Sequence, residues 1–134
     1  MKVVSARWQG ILDKGALGGS ATGDYSIHLS NASPPVLHFG LNGADTAVTT
    51  DTVPLNEWTH IACTYDKDAG GTDEAKVYLN GVLSKVGNYS TVIATSSTAL
   101  NIGTYLGEYA LSGNACQVGI WDEALTQAQI QSVM

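Results

Sequence analysis

Carboxylates and histidines are the side chains of this sequence that could take part in catalysis, but their spacing does not predict an active site. Hydrolysis of a glycosidic bond, for example, needs two carboxyl groups held roughly 5 to 10 Å apart. Asp66 and Asp68 fall in a predicted loop, whereas Asp122 and Glu123 are adjacent and should point in different directions. The three histidines lie on separate predicted strands, with no nucleophile motif around them. We therefore predict that the chain is not an enzyme and has no catalytic residues.

A second chemistry to consider is metal binding. Four carboxylates cluster in one Gly-containing loop, and calcium prefers oxygen ligands of this kind. Acidic residues in such a loop are more often simply solvated, so we predict no metal site and no cofactor. The weak metal candidates are Asp66, Asp68, Asp73 and Glu74.

A third chemistry is the non-covalent binding of a sugar. Aromatic rings stack on sugar rings, while Asn, Asp and backbone groups meet the hydroxyls. The loop-rich stretch 103–114 carries two tyrosines and a glutamate, and three further polar residues lie in loops that could neighbour it. The predicted ligand-binding residues are Asp24, Asn42, Asp45, Tyr105, Glu108 and Tyr109. The alternative for the two tyrosines is that they cover a sheet edge or contact a partner subunit.

Length and composition limit the classes of protein to consider. The chain has 134 residues, a formal net charge of -6, 13% charged residues and 44% hydrophobic residues. We expect one domain over residues 1–134, with enough length to bury an ordinary hydrophobic core. The negative charge disfavours nucleic acid as a partner, and no apolar run reaches the ~18 residues that would span a bilayer. The first ten residues contain no apolar core of a signal peptide, so none is predicted.

Side chains of alternating polarity predict that strands position these residues. Alternating runs occur at 24–30 and 37–41, which should form a hairpin-like pair, and further strands are predicted at 76–83, 99–103 and 115–121. Residues 58–65 are apolar on both faces, which predicts a central strand, and Asn80-Gly81 predicts a tight turn. Trp121 should close the core against a short C-terminal helix, for which Thr126 and Gln129 form a capping box. The sequence therefore predicts an all-β sandwich with one short helix.

The two cysteines, Cys63 and Cys116, each lie in an apolar run that resembles a strand. A small buried thiol is the state we expect for each of them. A disulfide between them stays open as an alternative, and it would imply an oxidising compartment.

Six segments, in order along the chain, resemble a known family. They are ILDKG (11–15), YSIHL (25–29), WTHIACTYD (58–66), KVYLNG (76–81), LNIG (100–103) and VGIWDEALT (118–126). Together they are similar to the laminin-G-like and pentraxin-like domains of the concanavalin A-like lectin/glucanase superfamily. The resemblance implies a jelly-roll sandwich of two antiparallel sheets, one of them concave, of a kind commonly used to bind glycans or proteins. It covers nearly the whole chain.

The sequence also departs from that family. The family usually opens with an extra strand before the segment that begins here at Val3, so a sheet edge should be unpaired and open to a homo-oligomer or a larger assembly. Many relatives carry an acidic calcium ligand at a position occupied here by Cys116, beside Gln117. A thiol is a poor calcium ligand, so calcium is not supported at the family's usual position.

The resemblance and the residues together predict a non-catalytic, lectin-like module that recognises a glycan or a glycoprotein surface. The alternative is a structural protein, such as a virion decoration protein or a subunit of a surface complex, that uses the jelly roll for contacts between proteins. The family resemblance is compatible with an extracellular or particle-associated role, and the sequence does not name a compartment or a natural ligand.

Overall fold

A computed structural model describes residues 1–15, 24–105 and 107–134 of the chain. Strands form most of the regular structure, which confirms the predicted all-β class. The elements of the described residues are β1 (Lys2–Val3), β2 (Gln9–Lys14), β3 (Tyr25–Leu29), β4 (Val36–Leu41), β5 (Ala44–Thr52), β6 (Ile61–Tyr65), β7 (Ala75–Leu79), β8 (Val82–Gly87), β9 (Leu100–Ile102), β10 (Gly113–Asn114) and α1 (Gln127–Ser132).

The larger sheet contains five antiparallel strands in the order β5-β4-β3-β2-β9. At its centre β3 and β4 form the predicted hairpin, in which Leu29 pairs with Leu37 and Ile27 pairs with Phe39. Because side chains alternate between the two faces of a strand, these apolar residues share one face. That face packs into the hydrophobic core, so the opposite face of the sheet points away from it.

The smaller sheet contains β6, β7 and β8, in that order, and packs against the larger one. Ala75 and Val77 of β7 are fully buried and belong to the same core as Phe39. A two-residue turn joins β7 to β8, with φ angles of 51° at Asn80 and 73° at Gly81. Both angles lie in the left-handed region that Asn and Gly adopt most readily, so the predicted turn is confirmed. A third, two-stranded sheet pairs β1 with β10.

The predicted C-terminal helix is confirmed with its cap. The Thr126 side chain accepts a hydrogen bond from the Gln129 amide, while the Gln129 side chain accepts one from the Thr126 amide. These two bonds satisfy amides that a helix N-terminus would otherwise leave without partners. Ile130 is the helix residue buried against the rest of the protein.

The predicted strand at 115–121 is wrong. β10 ends at Asn114, and residues 115–121 form no strand. Gln117 has a φ of 54°, which interrupts the extended backbone that a strand needs. Trp121 is 51% exposed and does not close the core as predicted.

The segment 58–65 also differs from its prediction as a central strand buried on both faces. Only Ile61–Tyr65 are in β6, which is an edge strand of its sheet, and Trp58 is 57% exposed. A groove of about 760 Å³ lies between the two sheets, lined by apolar side chains from both and by residues 115–121. The core is therefore open along the β6 side of the sandwich, because no described strand pairs with the outer edge of β6.

Neither cysteine is in a disulfide. Cys63 is partly buried rather than fully buried as predicted, and burial raises the pKa of its thiol. Cys116 is exposed, because the segment that carries it is not a strand in the core.

Candidate binding site

The outer face of the five-stranded sheet, the face that points away from the core, carries a row of four polar residues and one glycine, which we call the polar row. The strand register aligns one residue from each strand: Asn101, Asp13, Ser26, Gly40 and Asp45. Residues paired across antiparallel strands point to the same side of the sheet. The row therefore runs across the whole sheet from β9 to β5.

A cluster of two histidines and one carboxylate lies beside this row, and we call it the His–Asp cluster (His28, His38 and Asp45). The two histidines are directly paired across β3 and β4, with ring centroids 4.8 Å apart and nearly parallel planes. His38 Nδ1 is 2.8 Å from Asp45 Oδ2, and His28 Nε2 is 3.5 Å from Asp45 Oδ1. One carboxylate thus faces both imidazoles.

Three aromatic rings surround the cluster, and we call them the aromatic rim (Trp8, Tyr105 and Tyr109). Trp8 packs edge-on against His38, with 5.4 Å between centroids, and Tyr105 stacks on His28 at 4.2 Å. Tyr109 is adjacent to Tyr105, with 6.2 Å between their centroids. Trp8 and Tyr109 are 39% and 40% exposed, so each presents part of a ring to solvent.

Close packing at Gly10 brings Tyr105 to the cluster. Gly10 pairs with His28 across β2 and β3, and a Cβ atom on Gly10 would lie 2.0 Å from the backbone carbon of Thr104. The chain at 104–105 can therefore cross β2 at this point only because residue 10 has no side chain. The Gly10 amide donates a hydrogen bond to the Tyr109 carbonyl oxygen at 2.8 Å, which holds the crossing in place.

The fully buried side chain of Gln9 holds the C-terminal part of the segment that carries Tyr105 and Tyr109. Its Nε2 donates to the Ser5 carbonyl oxygen, and its Oε1 accepts a bond from the Ser112 amide, both at 2.8 Å. One side chain thus satisfies two backbone groups from segments more than 100 residues apart in the sequence.

Burial controls the charge of the site. Burial lowers the pKa of His28 to about 4, and the smaller opposing effect of the Asp45 carboxylate does not reverse this. Burial also raises the pKa of Tyr105, with the carboxylates of Asp45 and Asp13 adding to the effect. Near neutral pH, His28 is uncharged and Tyr105 is a neutral phenol.

Three of the six predicted ligand residues are together at this site. Asp45 belongs to the His–Asp cluster, and Tyr105 and Tyr109 form most of the aromatic rim. The ring of Tyr105 is occupied by its stack on His28, so Tyr109 is the more accessible of the two tyrosines. Glu108 lies in the exposed turn between them. A ligand role for these four residues stays a prediction.

Asp24 and Asn42 make contacts of a different kind. Asp24 is buried, with its Oδ2 atom 3.1 Å from Lys14 Nζ and accepting a hydrogen bond from the Ser96 hydroxyl. The Asn42 side chain donates to the Tyr89 hydroxyl and accepts from the Ala94 amide. These contacts anchor the segment 89–98 to the sheet, so a ligand role for Asp24 and Asn42 stays a prediction without support from their surroundings.

The four weak metal candidates have separate partners. Asp73 pairs with Lys76 at 2.9 Å and Asp68 pairs with Lys67. The Asp66 side chain accepts from the Asp68 amide. Glu74 is buried, and hydrogen bonds from backbone amides, that of Tyr89 above all, lower the pKa of its carboxyl group. Among the described residues these four carboxylates do not converge on one point. The expectation that they hold no metal stays a prediction.

Sequence analysis missed His28, His38 and Trp8 as members of a site. A signal was present in the hairpin prediction. If Leu29 pairs with Leu37, the register must also pair His28 with His38 on the opposite face. Trp8 gave no such signal, because its contact with the histidines depends on how the chain enters β2.

Comparison with known proteins agrees with this fold. A family model for the concanavalin A-like lectin/glucanases superfamily matches residues 3–131. The chain belongs to this superfamily. The resemblance to its laminin-G-like and pentraxin-like domains is therefore confirmed.

Among solved structures, this member of the concanavalin A-like superfamily is similar to a native heptameric SAP-like pentraxin from Limulus polyphemus. The TM-score is 0.71 at 20% sequence identity, and the match covers 98% of this chain but 65% of the pentraxin chain. The chain thus spans slightly less than two thirds of that pentraxin chain. The likeness shows the fold, a jelly roll of two antiparallel sheets. No curated protein matches the chain in sequence.

The part of this concanavalin A-like chain that the structure describes contains no helix with the length and hydropathy needed to cross a membrane.

Proposed function

We propose that this chain is a non-catalytic binding module that recognises a glycan on the outer face of its five-stranded sheet. One observation carries the proposal: two partly exposed aromatic rings, Trp8 and Tyr109, lie beside a His–Asp cluster and a polar row on the same face. Membership of the concanavalin A-like superfamily supports it.

The arrangement has the two components that sugar binding requires. The exposed ring surface of Trp8 can stack on the apolar C–H face of a sugar. Asp45, whose side chain is 45% exposed, can accept hydrogen bonds from sugar hydroxyls. Gly40 and Ser26 separate Asp45 from Asp13 in the polar row. Asp13 and Gly40 are buried, so Asp45 is the exposed carboxylate of the row.

The same face does not favour hydrolysis. The two carboxylates of the polar row, Asp13 and Asp45, are separated by three strand spacings, about 14 Å between their backbones. Glycosidases hold their two carboxyl groups about 5 to 10 Å apart across the bond that they cut. Asp45 is also engaged by His38, which makes it a hydrogen-bonding group rather than a free nucleophile.

A glycan array followed by calorimetry on the best ligand tests the proposal, with Trp8→Ala as the test variant and Trp58→Ala as its matched control. Both tryptophans are exposed, but Trp58 lies at the groove between the sheets. Loss of a stacked ring should weaken binding by about tenfold, which corresponds to about 1.4 kcal/mol, whereas the control should bind as the wild type does. Failure to bind any glycan, loss of binding in the control alone, or turnover of the bound glycan would overturn the proposal.

A second candidate function is assembly, and the open side of the sandwich favours it. Trp58, Val118, Ile120 and Trp121 are each about half exposed, and they border the groove next to the edge strand β6. An unpaired edge beside exposed apolar side chains invites another strand. The pentraxin of similar fold is heptameric, which supports association of copies of this chain.

Light scattering coupled to size exclusion tests assembly. Ile120→Glu places a charge on the apolar border, and Val92→Glu places the same charge at an exposed valine elsewhere. If copies associate through this border, the first variant should be monomeric and the second should keep the oligomeric mass of the wild type. A monomeric wild type, or equal masses for both variants, would contradict this function.

A further inference from the structure

The His–Asp cluster has the geometry of an open metal site. One ligand atom from each of His28, His38 and Asp45 lies within 4.8 Å of the other two. In a tetrahedral zinc site, ligand atoms at about 2.0 to 2.1 Å from the ion are about 3.4 Å from one another. The two nitrogen-to-carboxylate distances here, 2.8 and 3.5 Å, go to different oxygens of Asp45, and no two of the three ligand atoms are more than 4.8 Å apart. Side-chain shifts of about 1 to 2 Å would therefore admit an ion.

The donor set selects a class of ion. Two imidazoles and one carboxylate suit zinc and related divalent transition metals, whereas calcium prefers six to eight oxygen ligands. With three protein ligands, a fourth position stays open to water or to another molecule. The side chain of Asp45 is 45% exposed, so the open side of the cluster faces solvent.

The surroundings of His28 supply an independent observation. This residue is 3% exposed, and its Nδ1 atom has no hydrogen-bond partner among the described residues. Its Nε2 atom is 3.5 Å from the nearest Asp45 oxygen, which is longer than an ordinary N–H···O bond. A buried polar ring so poorly satisfied is unusual, because buried nitrogens normally have close partners. An ion between His28 and Asp45 would give Nε2 a ligand bond and would leave Nδ1 as it is, so the long distance from Nε2 to Asp45 is the part of this observation that supports the site.

We propose that His28, His38 and Asp45 bind one divalent transition-metal ion of the zinc class, with one coordination position open to solvent. The histidines bind through Nε2 of His28 and Nδ1 of His38, the atoms that face Asp45. The ion is held on the outer face of the five-stranded sheet, beneath the aromatic rim. This proposal does not depend on glycan binding, because the metal site is defined by protein ligands alone.

Titration of tag-free protein with Zn²⁺ by calorimetry tests the site, and Co²⁺ absorption reports the coordination geometry. His38→Gln and Asp45→Asn are the test variants, and both positions lie at least partly open to solvent. His60→Gln is the matched control, because His60 is the histidine outside the cluster and lines the groove between the sheets. Circular dichroism establishes that each variant is folded, and Ca²⁺ serves as the hard-cation comparison.

We expect one Zn²⁺ per wild-type chain, with affinity lowered at least about 100-fold in both test variants, since even the outer partners of metal ligands contribute 10- to 100-fold. The control variant should bind as the wild type does, and Ca²⁺ should not compete. The histidine ring signals of the wild type provide a second readout, because those of His28 and His38 should shift on Zn²⁺ addition while that of His60 should not. Absence of stoichiometric binding, binding unchanged in the test variants, or a shift confined to His60 would overturn the proposal.

Discussion

Replacement of Gly10 by alanine should disrupt the candidate site, although Gly10 itself is not a predicted ligand residue. A Cβ atom at this position would lie 2.0 Å from the Thr104 backbone carbon and 2.1 Å from the Tyr105 nitrogen. Carbon atoms in contact are about 3.5 to 4.0 Å apart, so the crossing chain must move outward by about 1.5 Å. This movement breaks the 2.8 Å hydrogen bond from the Gly10 amide to the Tyr109 carbonyl oxygen.

Overpacking of this kind costs about 1 to 3 kcal/mol, and each lost hydrogen bond adds about 0.5 to 1.5 kcal/mol. We therefore expect Gly10→Ala to lower the free energy of unfolding by about 2 to 4 kcal/mol, measured by urea denaturation. Tyr105 should also move off His28. Because burial is what lowers the pKa of His28, that pKa should rise from about 4 toward its usual 6.5, measured by NMR in EDTA.

Gly119→Ala is the control for this experiment. A Cβ atom on Gly119 would also meet a close neighbour, at 2.5 Å, but that neighbour is the exposed ring of Trp121, which can rotate away. This variant should lose less than about 1 kcal/mol and leave the pKa of His28 unchanged. If Gly10→Ala does not fold, Tyr105→Ala is the substitute variant. It removes the ring that stacks on His28 and should likewise raise the pKa of His28. Wild-type stability and an unchanged His28 pKa in the Gly10 variant would refute the reasoning.

Three further outcomes follow from buried groups. Gln9→Leu leaves two backbone groups without partners and should lower the free energy of unfolding, measured by urea denaturation, by about 2 to 4 kcal/mol. The control Gln127→Leu, on the exposed helix surface, should change the free energy of unfolding little. Equal effects of the two variants would contradict the role of Gln9. Because the pKa of His28 is lowered in the folded state, the unfolded chain binds more protons between pH 6.5 and about 4. Stability should therefore fall by up to about 3 kcal/mol as the pH drops through this window, and an NMR midpoint for His28 near 6.5 would disagree. Cys116 should react rapidly with a disulfide reagent in the native protein while Cys63 reacts only after denaturation; equal rates would show that Cys63 is accessible.

Local patterns predicted the elements whose formation depends on neighbouring residues in the chain. The alternation in 24–30 and 37–41 predicted the central hairpin, Asn80-Gly81 predicted the turn between β7 and β8, and Thr126 with Gln129 predicted the helix cap. Each depends on backbone geometry within a few residues, which composition and spacing report directly. The motif order predicted the superfamily as well.

The same kind of pattern failed at 115–121. The alternation of Val118 and Ile120 is that of a strand, but a strand forms only if a partner edge is available and the backbone stays extended. Gln117, with its φ of 54°, breaks that extension, and no described strand pairs with the segment. Alternation reports what a segment could bury, whereas pairing is decided by the rest of the sheet.

The candidate site shows the same division. The sequence by itself determined that His28 and His38 face away from the core, because the hairpin register leaves them no other side. Only the tertiary structure decided that Asp45, Trp8 and Tyr105 would meet them. The contact with Asp45 depends on a bulge between the consecutive strands β4 and β5, and the contact with Tyr105 depends on a backbone crossing at Gly10 that joins segments far apart in the chain. Side-chain direction follows from local backbone geometry, but convergence at a site depends on how distant segments pack, which no local pattern contains.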